Sequence, residues 1–184
     1  MKKIIAFISI ISIASVLASC GNKETSTEPK PKTCERIEPC KTALQYATYV
    51  EQGAEDKVYK MEDQTGEHKS YDSLEEAKED INEDYEQYQN QQIKRYGVVE
   101  YVLNPNEKYI YKFRYKDFRT GEIKNTTVGI SKKQGQYFAN EYYSGATKND
   151  VTVNGKIAKH QRYYSKGLNE QVKEEFKPDL IEQY

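Results

Sequence analysis

Between Lys108 and Phe118 the chain repeats with a period of two, and no other stretch limits the fold so tightly. Tyr109, Tyr111, Phe113 and Tyr115 alternate with Ile110, Lys112, Arg114 and Lys116. Successive side chains on a strand leave by opposite faces. The segment is therefore a strand with one aromatic and one largely basic face, the pattern of an antiparallel sheet covered on one side and wet on the other. Val98 to Leu103 precedes it across the turn Asn104-Pro105-Asn106-Glu107. Arg119-Thr120-Gly121-Glu122 leads into a return strand over 123–131, and Lys132 to Gly135 leads into another over 136–144. The expected result is a meander. Asn154-Gly155 within 150–157 marks a further hairpin.

Helical spacing brackets these strands. Ala43, Leu44, Ala47 and Val50 predict a helix over 42–53 that Gly53 ends. A longer helix is expected over 74–96. Ser73 and Glu76 match a capping box, Leu74, Ala77, Ile81, Tyr85 and Tyr88 form its stripe, and Gly97 is the expected terminator. Residues 58–61 read as a short strand. Leu168, Val172 and Phe176 mark a short helix broken near Pro178, with Leu180 and Ile181 expected to cover an open edge of the sheet. The fold class is α+β: N-terminal helices packed on a curved antiparallel β-meander, with a short C-terminal helix. Seventeen tyrosines and no tryptophan fit a core built from Tyr, each hydroxyl needing water or a partner. They also fit an exposed, Tyr-rich binding surface.

The first twenty residues follow the export pattern. Lys2 and Lys3 precede an apolar stretch over 4–16, too short and Ser-interrupted for a comfortable membrane span. Leu17-Ala18-Ser19-Cys20 follows and resembles the bacterial lipobox. That resemblance implies a signal peptide over 1–19, removal at Cys20, acylation of its thiol, and attachment to a membrane of the bacterial cell envelope. With a non-Asp residue at Gly21, it implies the outer membrane if the host is Gram-negative. More than one acyl chain makes such anchoring stable. Residues 20–33 read as the lipidated Cys and a flexible tether reaching on the order of 20 Å as a coil. Residues 34–184 read as a single α+β domain. Cys34 and Cys40, in an oxidising compartment, are expected to form a disulfide.

Chemistry-bearing motifs are sparse. His68 and His160 stand in no recognisable arrangement, and no phosphate loop, zinc spacing or EF-hand pattern occurs. No catalysis, cofactor or metal is therefore expected. The net charge of −1 becomes −3 once Lys2 and Lys3 leave with the signal peptide, which argues against nucleic acid as a partner. The candidate binding face is Tyr109, Tyr111, Phe113 and Tyr115 on one side, and Lys112, Arg114 and Lys116 on the other. Each side has a plainer reading: core for the rings, a solubilising face for the cations. The acid-rich run on the long helix is either a solvated face or a partner strip, with Glu79 and Glu83 as the residues to test.

Tyr109 to Asp117, Thr120-Gly121, Thr126 to Ile130, Lys132 to Gly135 and Tyr137 follow one another in an order that resembles the NTF2-like (cystatin-like) exported proteins, over about residues 41–144. Such chains usually carry Trp where Tyr137 stands, and nothing after Gly145 finds a counterpart. The resemblance implies a curved sheet wrapped by helices around an apolar hollow, and no particular activity. The expected function is a membrane-anchored binding module. It would take a small apolar ligand in the hollow or an envelope protein on the sheet. The alternatives are an immunity, exclusion or inhibitor lipoprotein that neutralises a toxin or hydrolase, and an envelope enzyme using the hollow.

Overall fold

A computed structural model describes residues 33–66, 69–142 and 145–181; Cys20 and His68 lie outside them. Among the described residues, seven strands and five α-helices follow a 3-10 turn at Cys34–Arg36. The main sheet is antiparallel with the order β4-β3-β2-β1-β7. Its strands are β1 (Tyr96–Asn104), β2 (Lys108–Lys116), β3 (Ile123–Lys133), β4 (Gln136–Glu141) and β7 (Lys159–Tyr164). β5 (Thr152–Val153) and β6 (Lys156–Ile157) form a separate small hairpin. Its turn is the expected Asn154-Gly155, both residues at positive φ. The α+β class and the meander are thus present.

The aromatic side of β2 is core. Tyr111, Phe113 and Tyr115 are fully buried and Tyr109 nearly so. They cluster with Ala43, Tyr46 and Ala47 of α1 (Glu38–Gln52) and with Cys34 and Cys40, which are disulfide-bonded. Each such ring contributes roughly 1.5–3 kcal/mol by leaving water. Phenols bring hydroxyls that must be satisfied, and buried carboxylates meet them. Tyr46 donates to Glu62 (2.6 Å), Tyr115 to Glu51 (3.0 Å), and Tyr111 and Tyr163 both donate to Glu100 (2.8 and 2.7 Å). Burial, with these carboxylates beside them, pushes all four hydroxyls far above the ordinary phenol range.

The helical segments differ from expectation in two places. Residues 58–61 belong to α2 (Glu55–Met61), not to a strand. Its first turn is acidic, Lys60 lies in its last, and Lys60 pairs with Asp56 at 2.6 Å; this order suits the helix dipole. The long helix over 74–96 is instead α3 (Leu74–Glu79) and α4 (Tyr85–Tyr88). Its capping side chains hold, with Ser73 accepting from the Glu76 N–H and Glu76 from the Asp72 N–H. Like charges four apart in Glu75/Glu79/Glu83 and Glu76/Asp80/Asp84 weaken its continuation without ending it. Asn82 then donates its N–H to the Gly53 carbonyl. Gly53 caps α1 with φ +70 and packs so closely on the Asn82 side chain that a Cβ has no room. Gly97 terminates nothing. It lies in β1, where a Cβ would stand 2.0 Å from the Phe176 carbonyl oxygen.

The C-terminal region supplies what the meander lacks. β7 pairs with β1 from Gly97↔Tyr164 to Val102↔Lys159. α5 (Glu170–Glu175) is capped by Asn169. Ile181 packs with Val99, Tyr101 and Ile110 on the second face of the sheet and donates its N–H to the Tyr101 hydroxyl. The chain's last described turn therefore covers a face and not the expected edge. Among the described residues no helix is long and apolar enough to cross a membrane.

Candidate functional site

The two candidate faces of β2 have different fates. The rings of Tyr109, Tyr111, Phe113 and Tyr115 stand inside the core, so their surface is already occupied by the chain itself. The cations lie on the second face, where the segment after α5 crosses the sheet. Arg114 donates its Nε–H to the Glu175 carbonyl at 3.0 Å, and Lys116 pairs with the Glu175 carboxylate at 3.3 Å. Arg162 of β7 donates in the same manner to the Pro178 carbonyl at 3.3 Å. Three of the sheet's cations thus hold down the crossing segment.

Lys112 is placed otherwise. It is half-buried in the wall of a half-open cleft of about 450 Å³, lined also by Asn125, Thr127, Glu141, Asp179 and Ile181. The cleft exists because β4 pairs with β3 only from Val128 onward. Beyond that point Tyr142 donates its N–H to the Thr127 carbonyl, and among the described residues the start of β3 is paired with β2 alone. Burial draws the Lys112 ammonium below its usual range, opposed by the charge of Asp179 and assisted by Arg114. Burial likewise pushes the Glu141 carboxyl up, opposed by Lys124 and assisted by Glu51 and Glu62. Both shifts favour the neutral forms, but the register Tyr111–Val128–Glu141 sets the Glu141 side chain on the first face, opposite Lys112. Lys112, Asn125, Thr127 and Asp179 give the cleft a lining of hydrogen-bonding groups.

Glu79 and Glu83 are both exposed, but on different pieces: Glu79 ends α3, and Glu83 stands in the turn before α4. They do not form one stripe on one helix. His160 lies on β7 with its ring 5.3 Å from that of Tyr101. Among the described residues no group of three or more His, Cys, Asp or Glu is placed to hold a metal ion. Glu141, Asp179 and Asn125 were not singled out by sequence. The buried acids Glu51 and Glu100 left a usable signal, since each interrupts an otherwise apolar stripe or strand in a chain rich in Tyr. No family model, curated protein or solved structure matches the chain.

Proposed function

We propose that this chain is a lipid-anchored binding module of the bacterial cell envelope, with the Lys112 cleft as its ligand site. The anchor rests on the run Leu17-Ala18-Ser19-Cys20, with the polar residues 21–33 as the spacer. The cleft carries the binding reading: half-buried Lys112, Asn125 and Thr127 of the sheet and Asp179 of the crossing segment line one opening of about 450 Å³. A fold of the NTF2-like kind accords with helices that precede a meander and with a long helix clustered on its aromatic face. In this chain the space such proteins leave as a hollow is occupied by the chain's own tyrosines. The ligand therefore belongs on the second face and is polar, either a small molecule or a projecting group of an envelope protein.

The test is crosslinking and pull-down of the native protein from its own membranes, with mass spectrometry of what accompanies it, in parallel with Lys112→Met. One stoichiometric companion that falls roughly tenfold in the variant, with an unchanged melting midpoint, supports the site. Equal recovery from both proteins overturns it.

A second reading is an immunity or inhibitor lipoprotein that meets a toxin or hydrolase through its acidic surface. The exposure of Glu79 and Glu83 favours it. If Glu79→Lys with Glu83→Lys leaves protection of the host cell intact, that contact is not the one used.

A further inference from the structure

We propose that the surface through which the chain enters the domain lies flat on the membrane, docked on anionic lipid headgroups. The inference rests on the lipid-anchor reading above. Two depressions, of about 380 and 260 Å³, share Gln92, Ile93 and Lys94 and so form one continuous surface. Five cations line it: Lys41, Lys94, Arg95, Lys116 and Lys166. Its apolar floor is Leu44, Ile93, Phe118 and Phe176.

The acids lining these depressions are already engaged. Glu35 accepts the Tyr96 hydroxyl at 2.8 Å. Asp117 accepts from Lys124 at 3.2 Å and from the Arg119 and Thr120 N–H groups. Lys116 pairs with Glu175, and Arg95 sits 5.7 Å over the Phe176 ring. Lys41, Lys94 and Lys166 are exposed, and among the described residues no acid lies within ion-pair distance of them.

Position and charge agree on the occupant. Glu35 of this surface stands two residues after Thr33, where the proposed tether ends. The acid-rich residues 75–84 gather instead at the far end of α1, held there by the Asn82 bond to Gly53. The surface reaches that end of α1 at Gln91 and Phe118, which bond Gln52 and Glu51, but Lys41 lies on the order of 20 Å from Gly53 along the helix, about twice the screening length at physiological salt. A negative surface close to Lys41 and Lys94 therefore attracts the basic end without much repulsion from the acidic one. Each cation near such a surface strengthens binding about fivefold. A chain whose net charge is −3 once Lys2 and Lys3 are removed is thereby polarised to stand with one end down.

The test uses the acylated protein in phosphatidylcholine vesicles with and without phosphatidylglycerol, read by backbone hydrogen exchange. Protection of 91–95 and 166–168 is expected only with phosphatidylglycerol, with no change over 79–84. It should vanish in molar salt and fall on the order of fivefold per cation removed in Lys94→Glu with Lys166→Glu. Identical exchange in both vesicles overturns the docking. So does protection that persists in detergent alongside a doubled mass, which makes a second copy the occupant. The intact mass at Cys20 tests the anchor separately. If no acyl mass is found, sedimentation of the full chain with the two vesicle types still decides the docking: selective sedimentation with phosphatidylglycerol supports it and equal sedimentation overturns it.

Discussion

The two faces of the main sheet are covered in opposite ways. On the first face, one fifteen-residue helix shares a core with four aromatic rings of β2, and the hydroxyls of Tyr46, Tyr111 and Tyr115 each have a carboxylate opposite them. On the second face, a crossing segment is held by Arg114, Lys116 and Arg162 at its margins and by Ile181 at its end. It leaves a cleft open beside Lys112. The first face shows what a helix does when hydroxyls and acids match: it closes the space. The second shows that a crossing loop pinned by a few cations covers a sheet without filling it, so it is there that an open cleft remains.

That contrast can be broken by core truncations. Phe113→Ala should cost about 3–5 kcal/mol in urea unfolding, and Ile181→Ala about 2 kcal/mol. Equal losses would show that the second face is packed as firmly as the first. Replacing Cys34 and Cys40 together by Ser should cost about 2 kcal/mol, because the loop they close is short. The disulfide is fully buried in the first core, so this loss should leave the Lys112 cleft unchanged when ligand binding is measured.

Acid sharpens the comparison further. Burial alone would raise Asp117, but the Thr120 and Arg119 N–H groups and the Lys124 ammonium hold its carboxyl down at about 2. An unfolded Asp titrates near 4. Asp117 therefore contributes stability that is fully present above about pH 4 and is lost as the pH falls from about 4 to 2. Asp117→Asn should flatten the pH dependence of stability in that window. An unchanged slope would place the acid sensitivity in other carboxylates.

The meander was legible because alternation, turn residues and strand length all agreed over 98–141. The first helix was legible for the same reason, with apolar spacing and Gly53 in accord. The long helix over 74–96 was not, because its stripe of Leu74, Ala77, Ile81 and Tyr85 is genuine while its end is fixed by a tertiary bond from Asn82 to Gly53. β7 escaped notice because its first four residues are exposed and give no alternation, and only Tyr163 reaches the core. Of the candidate site, Lys112 was visible as one of three cations in a row. Its distinction from Arg114 and Lys116 depends on where Glu175 and Asp179 arrive from, some sixty residues along the chain.

The strand order carries a consequence for how this protein is made. β1 sits between β2, which follows it at once, and β7, which begins at Lys159. Until that late segment is delivered, the inner strand of the finished sheet is an outer one, with its hydrogen-bonding groups unclaimed. An exposed edge of this kind is a template for another chain. For a chain made from its N-terminus, the hazardous interval runs from the completion of β1 to the arrival of Tyr164. A chaperone acting on it would be needed within that interval.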